Sequence, residues 1–179
     1  MPSYSDPIDR VFRAEGLLLK LTPDDILDRQ LWRPIRDADE SALTSEQKVG
    51  DAQTFTLIRG ALLYALDDLD GAHGFFQDVP GDLAGYWHGM LHRREPDFEN
   101  ARYWFRRAGT LPFFDELHSR AAKQSADMAK QPSWDPYLFT GQCEQARHGE
   151  TESLSELRDL QRAEFDVAFD YTWRQCRIG

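Results

Sequence analysis

The chain has 179 residues, 41% hydrophobic and 12% aromatic, enough to bury a core of its own and too apolar for a disordered chain. Its formal net charge of −10 repels phosphate backbones and sets it against nucleic-acid binding. Only Cys143 and Cys176 are present. Their spacing matches no metal finger and reads as free thiols in a reducing compartment. The apolar run Leu17–Leu19 is too short for a signal segment or a membrane span, so a cytoplasmic location and no membrane partner are expected.

In chain order, residues 1–6 read as a loose arm. A helix is expected from Pro7 to Leu21, with Asp6 as cap and Ile8, Val11, Phe12, Leu18 and Leu19 on one stripe. Thr22-Pro23-Asp24-Asp25 signals a second short helix that ends near Trp32, ahead of Pro34. Residues 33–43 are polar and read as a surface connection. Thr44 and Gln47 fit a capping box for a long helix reaching about Asp67. Asp68–Asp78 is a shorter helix, broken at Pro80-Gly81. Leu83–Arg94 and Asp97–Gly109 form a helical pair across Pro96, and Gly109 supplies a C-terminal stop. Further helices are expected from Pro112 to about Met128, from Asp135-Pro136 to about Arg147, and from Ser153 to about Cys176. The last carries Phe165, Phe169 and Trp173 at fourfold spacing, a face that either packs internally or supports a homodimer. No strand is expected.

A repeat with a spacing of 29 residues relates Asp68-Leu69-Asp70-Gly71-Ala72 to Asp97-Phe98-Glu99-Asn100-Ala101, and Phe75-Phe76 to Trp104-Phe105. With Arg106-Arg107-Ala108-Gly109 following, this unit resembles Sel1-type or tetratricopeptide-type helical repeats. The fold class expected is all-α: a single domain over 1–179, made of antiparallel helical hairpins in one bundle or short array, with 83–114 as the central hairpin.

The side chains capable of chemistry gather there. His88 and His92 lie one helical turn apart, beside a face made by Leu83, Trp87, Met90 and Leu91 that must be buried. Two imidazoles at that spacing can share one divalent metal ion. The glutamate that follows the first histidine in metalloprotease helices is absent from His88-Gly89-Met90-Leu91-His92. His73, on the preceding hairpin with Gln77 one turn beyond, is a third metal ligand if the hairpins pack antiparallel. Arg93 and Arg94 can fork onto an anion, or be neutralised in place by Glu95 and Asp97. Asn100 and Tyr103 on the partner helix can line a small polar pocket.

Tyr86-Trp87-His88, His92-Arg93-Arg94-Glu95, Asp97-Phe98, Asn100-Ala101, Tyr103-Trp104 and Gly109, with Ala72-His73 and Gln77 before them, resemble a family of bacterial and fungal helical proteins without an established activity. The resemblance covers about 40 residues and implies a shared fold and site rather than a reaction. One departure is Leu111-Pro112, where the family pattern has His-Pro. The function expected is a helical domain that binds a small ligand, with an anion as one candidate, or a protein partner through His73, Gln77, His88, His92, Arg93, Arg94, Glu95, Asn100 and Tyr103. One alternative is a metal-dependent, hydrolase-like enzyme: a divalent cofactor on His88, His92 and His73, acid–base work by His92 and Glu95, and an arginine on the substrate. The other is a scaffold that offers its hairpins to a partner helix.

Overall fold

A computed structural model describes residues 4–44, 49–149 and 154–177. Among these the protein is all-α, with eleven helices and no strand; one antiparallel bridge joins Val49 to Arg177. The helices are α1 (Asp6–Phe12), α2 (Arg29–Asp37), α3 (Glu40–Thr44), α4 (Ala52–Ala65), α5 (Leu69–Phe76), α6 (Asp82–Arg94), α7 (Phe98–Ala108), α8 (Phe114–Ala121), α9 (Ala126–Ala129), α10 (Pro136–Arg147) and α11 (Leu154–Cys176). Among the described residues no helix is long and apolar enough to cross a membrane.

The second half of the chain keeps close to its local signals. Asp68, Asp97 and Asp135 each accept a backbone N–H from the first turn of α5, α7 and α10, satisfying donors a bare helix start would leave unmet. Gly109, at φ 64°, closes α7 in a conformation that only glycine adopts without strain. Phe165, Phe169 and Trp173 are all buried inside the chain, where Tyr4 and Phe12 pack on them edge-on or tilted. Of the two alternatives for this face, internal packing is the one observed, with the N-terminal segment covering it.

The first half departs from the local signals, and long-range partners explain why. Tyr4 and Ser5 are not loose: Tyr4 stacks on Phe12, and buried Ser5 donates its hydroxyl to the Leu43 carbonyl instead of capping α1. The helix expected over 7–21 stops at Phe12. Beyond it the chain turns at Gly16 and Leu18, which have positive φ. Gln161 of α11 donates to the carbonyls of Leu18 and Lys20 at 2.7 and 3.1 Å, and Arg94 also donates to Lys20. Those carbonyls are satisfied without a helix.

No helix forms at 22–27 either. Leu27 donates its N–H to Leu66 at 3.0 Å, and α2 begins only after Asp28, whose carboxylate caps Gln30 and Leu31. It runs through Pro34, at a cost of one internal bond on an exposed face. Residues 33–43 thus contain the end of α2 and part of α3 rather than a bare connection. Thr44 closes α3 and does not cap the long helix. Ser45–Lys48, including Gln47 of the expected capping box, lie outside the described residues, and Asp51 caps α4. The single helix expected over 112–128 is split into α8 and α9 by turns at 122–124, with Ser125 capping the second.

Two hairpins, α4–α5 and α6–α7, frame the centre. Each uses the same close approach, at the 29-residue spacing. A Cβ at Gly60 would stand 2.5 Å from the Phe76 ring, and one at Gly89 would stand 2.7 Å from the Phe105 ring. The α6 helix is buried on every side from Ala84 to Arg94. Its neighbours are α5, α7, α4 and α11, so more than the single face expected from its apolar stripe is covered.

Candidate functional site

The densest group of ligating side chains joins α5 and α6. His73 comes from α5, His88 and His92 from α6, and their ligand atoms all lie within 4.8 Å of one another. His88 and His92 are 3% and 6% exposed, while His73 is half-buried and reaches solvent. The His88 and His92 rings lie nearly parallel, with centroids 4.8 Å apart. The His73 ring stands edge-on to both, at 4.7 and 5.4 Å. Trp104 covers the other face of His88 at 4.1 Å.

The corner between α6 and α7 sets the surroundings of His92. Asp97 donates its N–H to the His92 carbonyl at 2.9 Å, which folds Glu95 and the first turn of α7 back over the ring. Glu95 Oε2 then lies 2.8 Å from His92 Nδ1, and Asn100 Nδ2 lies 3.1 Å from His92 Nε2. A carboxylate only accepts, so Nδ1–H donates to Glu95, and Nε2 offers its lone pair to the Asn100 amide.

His88 differs. Its Nε2 is buried and has no hydrogen-bond partner among the described residues. Burial, with His92 and His73 beside it, lowers its pKa to about 4, so the imidazole stays neutral. A buried polar nitrogen without a partner is uncommon and costs free energy.

The remaining residues expected at a ligand pocket lie elsewhere. Arg93 is buried and forms a two-pronged pair with Glu164 of α11. Arg94 is buried on Asp67 and donates to the Tyr64 carbonyl at 2.8 Å. Neither is neutralised by Glu95 or Asp97, and neither guanidinium is free to hold an anion. The reason is helical geometry. Successive residues rotate by about 100°, so Arg93 and Arg94 leave α6 on sides away from the His88–His92 edge.

Tyr103 is exposed, with its hydroxyl 3.3 Å from Arg107 Nη1 and its ring edge-on to Trp104. Gln77 is exposed at the end of α5, where it lines a cleft of about 360 Å³ with Trp104 and Arg107. Neither side chain is hydrogen-bonded to the histidine rings; Gln77 meets His73 through its backbone N–H, which donates to the His73 carbonyl at 3.1 Å. Trp104 does touch a ring, that of His88; from sequence an aromatic beside an apolar stripe is open to both core packing and a pocket wall, and its place one turn beyond Asn100 is the signal that puts it here.

Comparison with protein-family models, curated proteins and solved structures finds no match.

Proposed function

We propose that the protein binds one divalent transition-metal ion through His73, His88 and His92. The observation that carries this reading is the His88 Nε2 atom: buried, neutral, unpartnered, and grouped with two other imidazoles from separate elements. A neutral imidazole nitrogen grouped with two others has a lone pair that a metal ion can take up. Glu95 on Nδ1 of His92 is the carboxylate that orients a ligating imidazole and raises its basicity. Three nitrogens without carboxylate or carbonyl oxygens suit zinc, cobalt, nickel or copper and disfavour magnesium and calcium.

Zinc–nitrogen bonds of about 2.0–2.1 Å place tetrahedral ligands roughly 3.4 Å apart. The largest separation in the cluster is 4.8 Å, so the site closes by about 1.4 Å on binding. His73, half-exposed on the eight-residue α5, is the ring free to swing.

The test is metal analysis of the purified protein, followed by titration of chelator-treated protein with Zn²⁺ or Co²⁺ in a calorimeter. One equivalent is expected to bind, with no response to Mg²⁺. His88→Ala and His73→Ala should weaken binding by more than about 100-fold, and Glu95→Gln by about 10–100-fold. Absence of stoichiometric binding, or equal affinity in the histidine variants, would refute the reading.

A further inference from the structure

From the surroundings of the three histidines we infer that the metal is bound together with a small oxyanion of the carboxylate class, and that Asn100 donates the hydrogen bond that holds the anion. The inference rests on the metal-binding reading. Three neutral imidazoles leave the two positive charges of the ion uncompensated. Among the described residues the cluster contains no carboxylate ligand, and the nearby Glu95 is engaged with Nδ1 of His92. A buried, unbalanced dication is costly, and an anion in the fourth coordination position removes that cost. Ligation by three histidines leaves this position open.

Asn100 is placed for the other half of the recognition. Its amide nitrogen now occupies the His92 Nε2 lone pair at 3.1 Å, which is the lone pair the metal requires. Metal binding must displace it by a short rotation of the side chain, because its backbone is fixed at the start of α7 by the bond to Asp97. The displaced N–H remains beside the ion and needs an acceptor. An oxygen of the fourth ligand is the acceptor within reach, and an N–H donor to an anion forms one of the stronger classes of hydrogen bond.

The ligand must be small. The histidine rings pack on one another and under Trp104. The two clefts on either side, one reaching Glu95 and Asp70 and the other Gln77 and Trp104, include none of the three imidazoles in their walls. Half-exposed His73 is the side of the cluster that meets solvent, and rings packed this closely favour an anion of a few atoms over a peptide or a nucleotide.

The experiment uses the Co²⁺ form of the full chain and follows its visible absorption during titration with formate, and separately with bicarbonate. The wild type should show a saturable spectral change. Asn100→Ala should bind Co²⁺ at least as tightly, since its competitor for His92 is gone, and should bind formate about tenfold more weakly through loss of one charge-assisted hydrogen bond. Asn100→Asp keeps the shape of the side chain but places a carboxylate at the open position. It should bind Co²⁺ more tightly and no longer respond to formate. A Co²⁺-loaded wild type indifferent to both anions, or formate affinity unchanged in Asn100→Ala, overturns the inference and leaves metal binding standing. A wild type that takes up no Co²⁺ refutes the metal reading itself.

Discussion

His88 lies between Trp104 and His92 with 3% of its surface exposed, and its surroundings oppose a positive charge from three directions. Desolvation is the largest influence, followed by His92 and His73, and together they lower its pKa to about 4 from 6.5. The consequence for stability has a definite sign. Below about pH 6.5 an unfolded chain takes up a proton that the folded chain refuses until about pH 4, so stability is complete above that window and is lost as the pH falls through it. In chelator-treated protein, the unfolding free energy of the wild type minus that of His88→Gln, measured with urea, should fall by roughly 2–3 kcal/mol between about pH 7 and about pH 4.5. A difference that stays flat would place His88 in an ordinary, solvated environment. His92 is one turn further along the same helix yet is distinguished by its partners, with Glu95 on one ring nitrogen and Asn100 on the other. The HxxxH spacing makes the two histidines look equivalent, and their hydrogen bonds separate an imidazole already oriented from one still unpartnered.

At the scale of the element, the α6–α7 hairpin depends on Gly89. By intrinsic propensity alone, Gly89→Ala within a 13-residue helix should gain about 1 kcal/mol. The Phe105 ring removes that gain. It is 1% exposed and stands where the new methyl would go, so the variant should instead be destabilised by about 1–3 kcal/mol. For a chain of this size that is a fall in Tm of roughly 2–10 °C by differential scanning calorimetry. Gly89→Ala/Phe105→Leu should recover part of the loss, and a single variant more stable than the wild type would show that the helices are free to part.

The same hairpin shows which elements can be read from sequence. Helices α5, α6, α7, α10 and α11 carry their own instructions: aspartate caps, a proline corner, a terminal glycine and an apolar period. Segment 13–27 has helix-like periodicity and a plausible cap, yet Gln161, Arg94 and the Leu66 carbonyl hold its backbone in another form. Partners more than 140 residues away cannot be inferred from a local window.

Taken as a whole, the molecule buries within its apolar core two ion pairs whose members lie far apart in the sequence. His73, His88, His92, Glu95 and Asn100 could be gathered from helical spacing and one hairpin packing, because all five lie within 28 consecutive residues. The destination of Arg93 and Arg94 could not. Their acidic partners, Glu164 and Asp67, sit 71 and 27 residues away, and closer carboxylates were on offer. Glu164 is fully buried on α11. It accepts from both prongs of Arg93 and from the Tyr86 hydroxyl at 2.8 Å, and Tyr86 in turn accepts from Trp134 Nε1 at 2.7 Å. One carboxylate thereby joins α6, α11 and the approach to α10.

Glu164→Gln removes the charge and strands the Arg93 guanidinium in the core, so it should cost about 3–5 kcal/mol by urea unfolding, with the loss spread over the whole cooperative transition. The double variant Arg93→Met/Glu164→Leu removes both charges and fills the space with apolar atoms. It should lie well above the single variant and within about 1–2 kcal/mol of the wild type, since apolar replacements of buried ion pairs are often neutral. The separation between single and double variants is the decisive quantity. If both lose the same amount, Glu164 acts through Tyr86 and Trp134 rather than through Arg93, and a Tyr86→Phe variant should then reproduce most of the loss.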